Sequence, residues 1–485
     1  MWEWLLPALM ILCGSTSCGG AQTPNIVVIM ADDLGYNDVG YHGSVIKTPN
    51  IDRLAEEGVR LENYYVQPIC TPSRSQFMSG RYQIHTGLQH GVILPTQPFA
   101  LPLDSPTLAD KLKEAGYSTY GVGKWHLGFY MKKYLPTRRG FDRFFGFYMG
   151  SQDHYTHSRC IYNRCAVDLH DDTPTTFRNV FNESGSYSTH MYTQKAVDLI
   201  NTQTKKKPFF MYLAYQAVHA PLQVPPRYKR HYQDISNPKR RKFAAMTTAM
   251  DEGVGHVVEA LKRRGFWKNT VLVFTTDNGG IPSEGGSNYP LRGKKSLLFE
   301  GGIKGVAFVA SPLLKEKGYI NKGLMHISDW FPTLIHLAKG NMYNTHDLAG
   351  IDQWNMISKR IPTRREHILH NIDPLDVASA KSLGQYGKTF DIRITAAIRV
   401  GNYKLLTGAI HGKKKREKIY KPSDLVQLYN IRRDPREKRD LSKYQPARVR
   451  DMLAMLQAYN STAVPAMDPL REIVRPRNSA WGPWR

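Results

Sequence analysis

Five short segments of the chain read as β-strands, and four of them run into polar residues that look chemical. Asn25–Met30 (NIVVIM) stops at Ala31-Asp32-Asp33, and Ser118–Val122 leads into Gly123-Lys124-Trp125-His126. Phe209–Tyr215 is followed by His219, and Thr270–Thr276 (TVLVFTT) ends at Asp277-Asn278-Gly279-Gly280. Val306–Ala310 is the fifth segment. Runs that are apolar throughout, rather than alternating, mark strands covered on both faces, as in a parallel sheet.

Between these segments the apolar positions change to helical spacing. Thr48-Pro49 opens a helix with Ile51, Leu54 and Ala55 on one face and Gly58 as its stop. Ser105-Pro106 opens another through Leu108, Leu112 and Ala115, halted by Gly116. A long helix from about Arg241 to Arg264 carries Met246, Met250, Val254, Val257 and Leu261 in a stripe that reads as core. Asp329–Lys339 is a further helix. Strands alternating with helices predict an α/β fold with a large, mostly parallel sheet between helices. Ligands of such sheets lie beyond the carboxyl ends of the strands. That rule gathers Asp32, Asp33, Lys124, His126, His219, Asp277 and Asn278 at one edge.

The texture changes near Glu366. Ala396–Val400 and Lys404–Leu406 flank Gly401-Asn402, a hairpin signal; Leu425–Asn430 is another short strand and Pro446–Tyr459 an amphipathic helix. This predicts a smaller C-terminal α+β subdomain with a short antiparallel sheet. At the other end, a short apolar stretch (Trp4–Cys13) and small residues (Gly14–Ala21) read as a secretory signal peptide, although Glu3 replaces the usual basic residues. The expected division is signal peptide 1–21, catalytic domain 22–365 and C-terminal subdomain 366–485. No apolar run after residue 30 is long enough to span a bilayer.

Net charge adds a partner class. The chain carries +25 at neutral pH, more than solubility needs, with basic runs at Lys205–Lys207, Lys239–Lys242 and Lys413–Lys418. Such a surface favours polyanions, and a secreted protein points to acidic polysaccharide rather than nucleic acid. Of five cysteines, Cys13 and Cys18 fall in the signal segment. Cys160 and Cys165 are close enough to bridge across a turn in an oxidising compartment. Cys70 is left over. The sequons at Asn182 and Asn460 agree with a glycosylated, secretory-pathway protein, secreted or lysosomal.

Asp32, Asp33, Asp277 and Asn278 offer only oxygen donors, which suit a hard cation, Ca²⁺ or Mg²⁺. Lys124 and Lys295 could hold a tetrahedral oxyanion, and His126 and His219 could move protons. Cys70, four residues before Arg74, could be a stabilised thiolate nucleophile, but a soft thiolate sits poorly beside a hard metal.

Here a family resemblance enters. Cys70-Thr71-Pro72-Ser73-Arg74, followed by Met78-Ser79-Gly80-Arg81, resembles the C-x-P-x-R motif of type I sulfatases. So do IMADDLGYNDVGYHG (29–43), TPNIDRLAEEGV (48–59), GVGKWHLG (121–128), YQAVHAPLQVP (215–225) and TTDNGGIPSEGGSNYPLRGKKSLLFEGG (275–302). The similarity runs from Pro24 to Arg485 and is greatest to the arylsulfatase B, I and J group, which includes N-acetylgalactosamine-4-sulfatase. The resemblance implies an alkaline-phosphatase-like fold, and conversion of Cys70 to Cα-formylglycine by a formylglycine-generating enzyme. It implies one Ca²⁺ bound by Asp32, Asp33, Asp277, Asn278 and residue 70. Arg74 and Lys124 would stabilise the hydrated aldehyde, with His126 as its base. Lys124 and Lys295 would grip the sulfate, and His219 would protonate the leaving group. One hydroxyl of the gem-diol would attack sulfur, and the second would expel sulfate from the covalent intermediate.

The implied substrate is an aryl sulfate or a sulfated glycan, with galactosamine 4-sulfate of chondroitin or dermatan sulfate foremost. The substrate-reading loops would lie around Asp153–His170 and His411–Lys418. The group usually carries several disulfides, whereas only Cys160–Cys165 is available here. Two alternatives stay open: a phosphodiester or phosphonate hydrolase on the same fold, and a catalytically silent glycan-binding homologue.

Overall fold

The computed structural model describes residues 23–409, 419–467 and 470–485. The expected signal peptide 1–21, the basic run Lys413–Lys418 and the loop His411–Lys418 lie outside the described residues.

Among the described residues, fifteen strands carry the architecture. They are β1 (Asn25–Ala31), β2 (Val59–Tyr65), β3 (Ser118–Lys124), β4 (Arg143–Phe147), β5 (Ser158–Ile161), β6 (Arg164–Val167), β7 (His170–Asp172), β8 (Phe209–Ala214), β9 (Thr270–Thr276), β10 (Ala307–Ala310), β11 (Tyr319–His326), β12 (His367–Val377), β13 (Ile394–Val400), β14 (Tyr403–Thr407) and β15 (Val426–Asn430). Nine form one sheet in the order β11-β2-β10-β9-β1-β8-β3-β4-β7. At its centre β9, β1, β8, β3 and β4 are mutually parallel. β10 runs antiparallel between β2 and β9, and β7 runs antiparallel at the edge. β1, β8 and β9 are buried along their whole length, because helices cover both faces of the sheet.

The long helix, Pro238–Arg263, starts three residues before its expected position, capped by the Asn237 side chain on the amides of Lys239 and Arg240. Its Met246, Met250, Val254, Val257 and Leu261 are all buried in the core on one face of the sheet. The expected helix start at Ser105-Pro106 is corrected. The helix is Leu108–Glu114, and Thr107 caps it through Asp110 in a reciprocal pair of hydrogen bonds.

The C-terminal sheet has the order β12-β13-β14-β15, wholly antiparallel, backed by the helix Pro446–Ser461. Its faces are buried against residues of the first part of the chain, among them Tyr82 and Ile84 on one side and Tyr65, Leu298 and Phe299 on the other. A buried charge cluster also ties it down. Lys404 on β14 donates to Glu300 at 2.9 Å and pairs with Glu437 at 2.6 Å, all three fully buried. β5 and β6 form a separate hairpin, closed by the Cys160–Cys165 disulfide. Among the described residues no helix is long and apolar enough to cross a membrane.

Candidate active site

Four neighbouring parallel strands deliver their C-terminal residues to one place. Met30 at the end of β1 is level with Ala214 at the end of β8, and Ala31 with Thr276 at the end of β9. β3 lies beside β8 with Gly123 level with Ala214. A Cβ on Gly123 would stand 2.0 Å from the Ala214 carbonyl oxygen, so only glycine lets these two strands approach here. Asp32-Asp33, Lys124, His219 and Asp277-Asn278 therefore project from adjacent strand ends.

Into this cluster runs a helix that no periodicity announces. Cys70–Ser79 is helical from its first residue, and all ten of its residues are buried. Its amino end, with unpaired amides and a positive dipole end, is directed at residue 70. The oxygen and sulfur atoms of Asp32, Asp33, Cys70 and Asp277 lie within 4.8 Å of one another. Cys70 Sγ is 3.6 Å from Asp32 Oδ1.

Three cations neutralise the three carboxylates. Arg74 donates to Asp277 Oδ2 from Nε (3.1 Å) and Nη2 (2.8 Å), and Nη2 lies 3.8 Å from Asp32. Lys124 reaches Asp32 at 2.6 Å and Lys295 reaches Asp33 at 2.5 Å. His219 Nε2 stands 3.6 Å from Asp33 Oδ2, while its Nδ1 donates to the Ala220 carbonyl at 2.6 Å. Asn278 Nδ2 donates to Asp33 Oδ1 at 2.8 Å. Burial alone would raise the carboxyl pKa of Asp32 and Asp33. Lys124, His219 and Arg74 outweigh it at Asp32, and Lys295 and His219 do so at Asp33, so both are held below the usual range.

Burial pushes the Cys70 thiol up to about 12, with Lys124 and Lys295 opposing and Asp277 and Asp32 adding to the rise. Burial of this kind disfavours the thiolate considered from the sequence. His126, on the residue pair after β3, is held well below its ordinary value by burial and by Lys124 and Arg74. Its Nε2 faces the Ile93 carbonyl at 3.1 Å and must donate there. Nδ1 is then a buried lone pair with no protein partner.

Asp33, His126 and Ser296 have left-handed backbone, with φ of 62°, 56° and 72°. Each costs about 1–3 kcal/mol for a non-glycine residue, and strain of this kind concentrates at functional sites. The donors fit a hard cation: two acidic residues from β1, one acid and one amide from β9, and no nitrogen ligand. Asn278 Oδ1 is buried without a protein partner, so one oxygen of the set has its lone pairs available.

Three residues that matter here were given no role from the sequence, Ser73 and Thr71 entering it only as variable positions of the Cys70–Arg74 motif. Tyr212, inside β8, accepts from Arg74 Nη1 at 3.3 Å. Ser73 donates to the Asp277 carbonyl and accepts from the Gln67 amide at 2.8 Å. Thr71 donates to the His126 carbonyl at 3.2 Å and so ties the helix to β3's exit. Access narrows inward: the His219 side chain is 21% exposed and Lys295 9%, while Asp32, Arg74 and Lys124 have none. A cavity of about 520 Å³ opens on the Lys295 side, and one of about 470 Å³, walled by Arg159 and Cys160 of the β5–β6 hairpin, on the His219 side.

Asn182 sits exposed on a turn and Asn460 half-buried in the last turn of the C-terminal helix.

The chain is similar to known proteins along most of its length. Arylsulfatase J of Mus musculus is 49% identical over 96% of this chain and 81% of its own length. N-acetylgalactosamine-6-sulfatase of Rattus norvegicus is 32% identical over 72% of this chain and 68% of its own. The crystal structure of Ps i-CgsB in complex with k-i-k-neocarrahexaose superposes with a TM-score of 0.78 at 30% identity, covering 92% of this chain and 94% of that one. Residues 24–340, which hold every group of the cluster just described, match the family profile "Sulfatase". By that match, and by its likeness over nearly its whole length to an arylsulfatase, this chain belongs to the sulfatase family, the sulfuric ester hydrolases.

Proposed function

We propose that the protein hydrolyses sulfate esters at residue 70, carried as Cα-formylglycine, beside one Ca²⁺ held by Asp32, Asp33, Asp277 and Asn278. The observation that carries this reading is the setting of Cys70. A protonated, fully buried thiol has no use beside three carboxylates and an unpartnered amide oxygen, whereas an oxygen-bearing side chain at that point would complete a hard-cation shell. When present, the hydrated aldehyde and the ion supply an activated oxygen nucleophile for sulfur.

The chain's own residues then have separable tasks. Lys124 and Lys295 present two ammonium groups to a tetrahedral oxyanion from opposite carboxylates of the β1 pair. Arg74 orients Asp277 with two hydrogen bonds and keeps positive charge next to residue 70. His126 can accept a proton at Nδ1, since Nε2–H is committed to Ile93. His219, at the solvent-facing rim, can deliver a proton from Nε2 to a leaving alcohol. Water reaches only the rim, which strengthens every one of these interactions.

For substrate we propose a sulfated glycan, with N-acetylgalactosamine 4-sulfate foremost. The high net charge, a relative named N-acetylgalactosamine-6-sulfatase and a similar structure solved with an oligosaccharide support a glycan; none of them fixes the sulfate position. The secretory route, secreted or lysosomal, with a removed signal peptide and modification by a formylglycine-generating enzyme, completes the proposal, supported by the disulfide and the exposed sequon at Asn182. The test has two arms. Mass analysis of the tryptic peptide Leu61–Arg74 from a secretory host should show a loss of about 18 Da against the free thiol. Sulfate release should be measured on a panel of defined sulfated oligosaccharides. Uniformly unmodified Cys70 in active protein would sink the mechanism, and faster turnover of phosphate esters than sulfate esters would sink the activity.

A further inference from the structure

The β7 edge of the large sheet carries more basic side chains than its buried acids Asp171 and Asp172 can balance. Asp171 on β7 has a side chain only 5% exposed, and three cations converge on it. Arg143 donates from Nε and Nη2 at 2.9 Å each, Arg178 at 2.7 Å and Lys195 at 3.4 Å. Immediately beside Arg178, the Phe177 ring holds Lys132 Nζ at 5.5 Å and the Arg138 guanidinium at 5.6 Å. Lys132, Lys133 and Arg138 are exposed, and among the described residues none of them forms an ion pair. Two hubs, one carboxylate and one aromatic ring, thus gather basic side chains into a strip along this edge, linked through the neighbours Phe177 and Arg178.

Some basic residues elsewhere are individually paired. Lys239 pairs with Glu284, Arg240 with Asp38 and Arg263 with Glu259. The strip also lies away from the strand ends that form the site. In the β3–β4 register Phe147 is level with Lys124, whereas Arg143 is level with Tyr120, four residues back. At strand rise that is about 13 Å further from the site.

We propose that this strip is a docking surface for a linear, sulfated and carboxylated polysaccharide, separate from the catalytic pocket. Clustered, uncompensated guanidinium and ammonium groups bind anionic chains by displacing their condensed counterions, and arginine adds bidentate contacts to sulfate and carboxylate. The choice of polysaccharide over nucleic acid rests on the proposed function. An enzyme whose esters sit along a polymer gains from holding the polymer while single esters visit the pocket.

The test uses the full-length secreted protein and its triple variant Lys132→Gln, Arg138→Gln, Arg178→Gln. Arg143 and Lys195 remain on Asp171, so the fold keeps its buried pair. Binding of a size-defined heparan sulfate fragment is measured against salt concentration, alongside a single-stranded DNA of equal charge and turnover of an aryl sulfate. Expected are a slope of log K against log salt reduced by about two, an affinity lowered about tenfold or more at low salt, and unchanged aryl sulfate turnover. Neutralising Lys205–Lys207 or Lys262 and Arg263 instead should leave the slope within about one unit of wild type. The proposal is overturned if the triple variant binds like wild type, if either control set loses as much, or if the DNA binds as tightly as the polysaccharide. Loss of aryl sulfate turnover in wild type would count against the proposed function and leave this surface untouched.

Discussion

Replacing Lys404 with methionine tests how the C-terminal sheet is held to the rest of the molecule. Lys404 Nζ lies between Glu300 (2.9 Å) and Glu437 (2.6 Å) and also donates to the Leu298 carbonyl at 3.1 Å. All three side chains are fully buried, so removing the cation leaves two carboxylates away from water and without their nearest cation, Glu300 keeping only Arg399 and Lys304. Breaking a buried pair from one side costs about 3–5 kcal/mol. The cost depends on pH in a predictable direction. In the wild type, burial pushes Glu437 up to about 7, Lys404 opposing and Glu300 adding to the rise, while Lys404 and Arg399 hold Glu300 below its ordinary value against burial. Without Lys404, both carboxyls should be raised in the folded state.

A raised acid binds a proton in the folded chain that the unfolded chain releases. Its contribution is therefore fully present below the unfolded pKa and is lost as pH climbs through the folded one. Since each pH unit is about 1.4 kcal/mol per group, the deficit of Lys404→Met should shrink by about 2–3 kcal/mol between pH 8 and pH 5.5. Urea melts followed by circular dichroism give the overall deficit. Hydrogen exchange of the β12–β15 amides reports opening of that sheet without assuming two-state behaviour. Adding Glu437→Gln should recover part of the loss, because one buried charge then remains instead of two. A deficit under about 1 kcal/mol, or one equal at both pH values, would refute the reasoning.

Three further outcomes are expected. Cys70→Ser should abolish turnover while leaving the melting temperature within about 2 °C of wild type, because the two side chains differ by one buried atom; full retained activity would count against residue 70. Gly150→Ala should lower kcat at least about tenfold with little change in KM, because its Cβ would stand 2.8 Å from His126 Cε1 and push the ring; a kcat unchanged by the methyl group would remove His126 from proton transfer. Stripping divalent cations with a chelator should abolish turnover and lower thermal stability, with Ca²⁺ restoring both; stability that does not respond to Ca²⁺ would exclude this donor set as its site.

Much of the site was legible because its strands announce themselves. Asn25–Met30, Phe209–Tyr215 and Thr270–Thr276 have apolar centres without polar alternation, which a doubly covered strand needs, and the polar residues that follow mark the end where ligands bind. The direction of Val306–Ala310 was not legible, since a four-residue apolar strand looks the same parallel or antiparallel; it is antiparallel. The Cys70–Ser79 helix escaped for a different reason. Periodicity detects a helix with one wet face, and this one has none, its serines and glutamine being buried. Nor could charge reveal burial. Lys404, Glu300 and Glu437 read as surface residues, and only their mutual placement from three distant parts of the chain makes them an internal cluster. Tyr212 reads as core for the same reason, although its hydroxyl steadies Arg74.

The buried helix that begins at residue 70 sets a timetable. Pro72 and Arg74, two of the residues by which a modifying enzyme would know its target, are sealed with Cys70 beneath the sheet edge. No second protein could grasp that segment once the chain has closed over it. The oxidation would thus have to be finished during synthesis and translocation, on an extended chain, within the interval before β8 and β9 arrive to bury it. Each molecule would receive one opportunity. A chain that folds first would keep its thiol for life, as a stable, correctly shaped and inert protein that later exposure to the modifying enzyme does not rescue. The active fraction of a preparation would then record a race between folding and oxidation, fixed at birth.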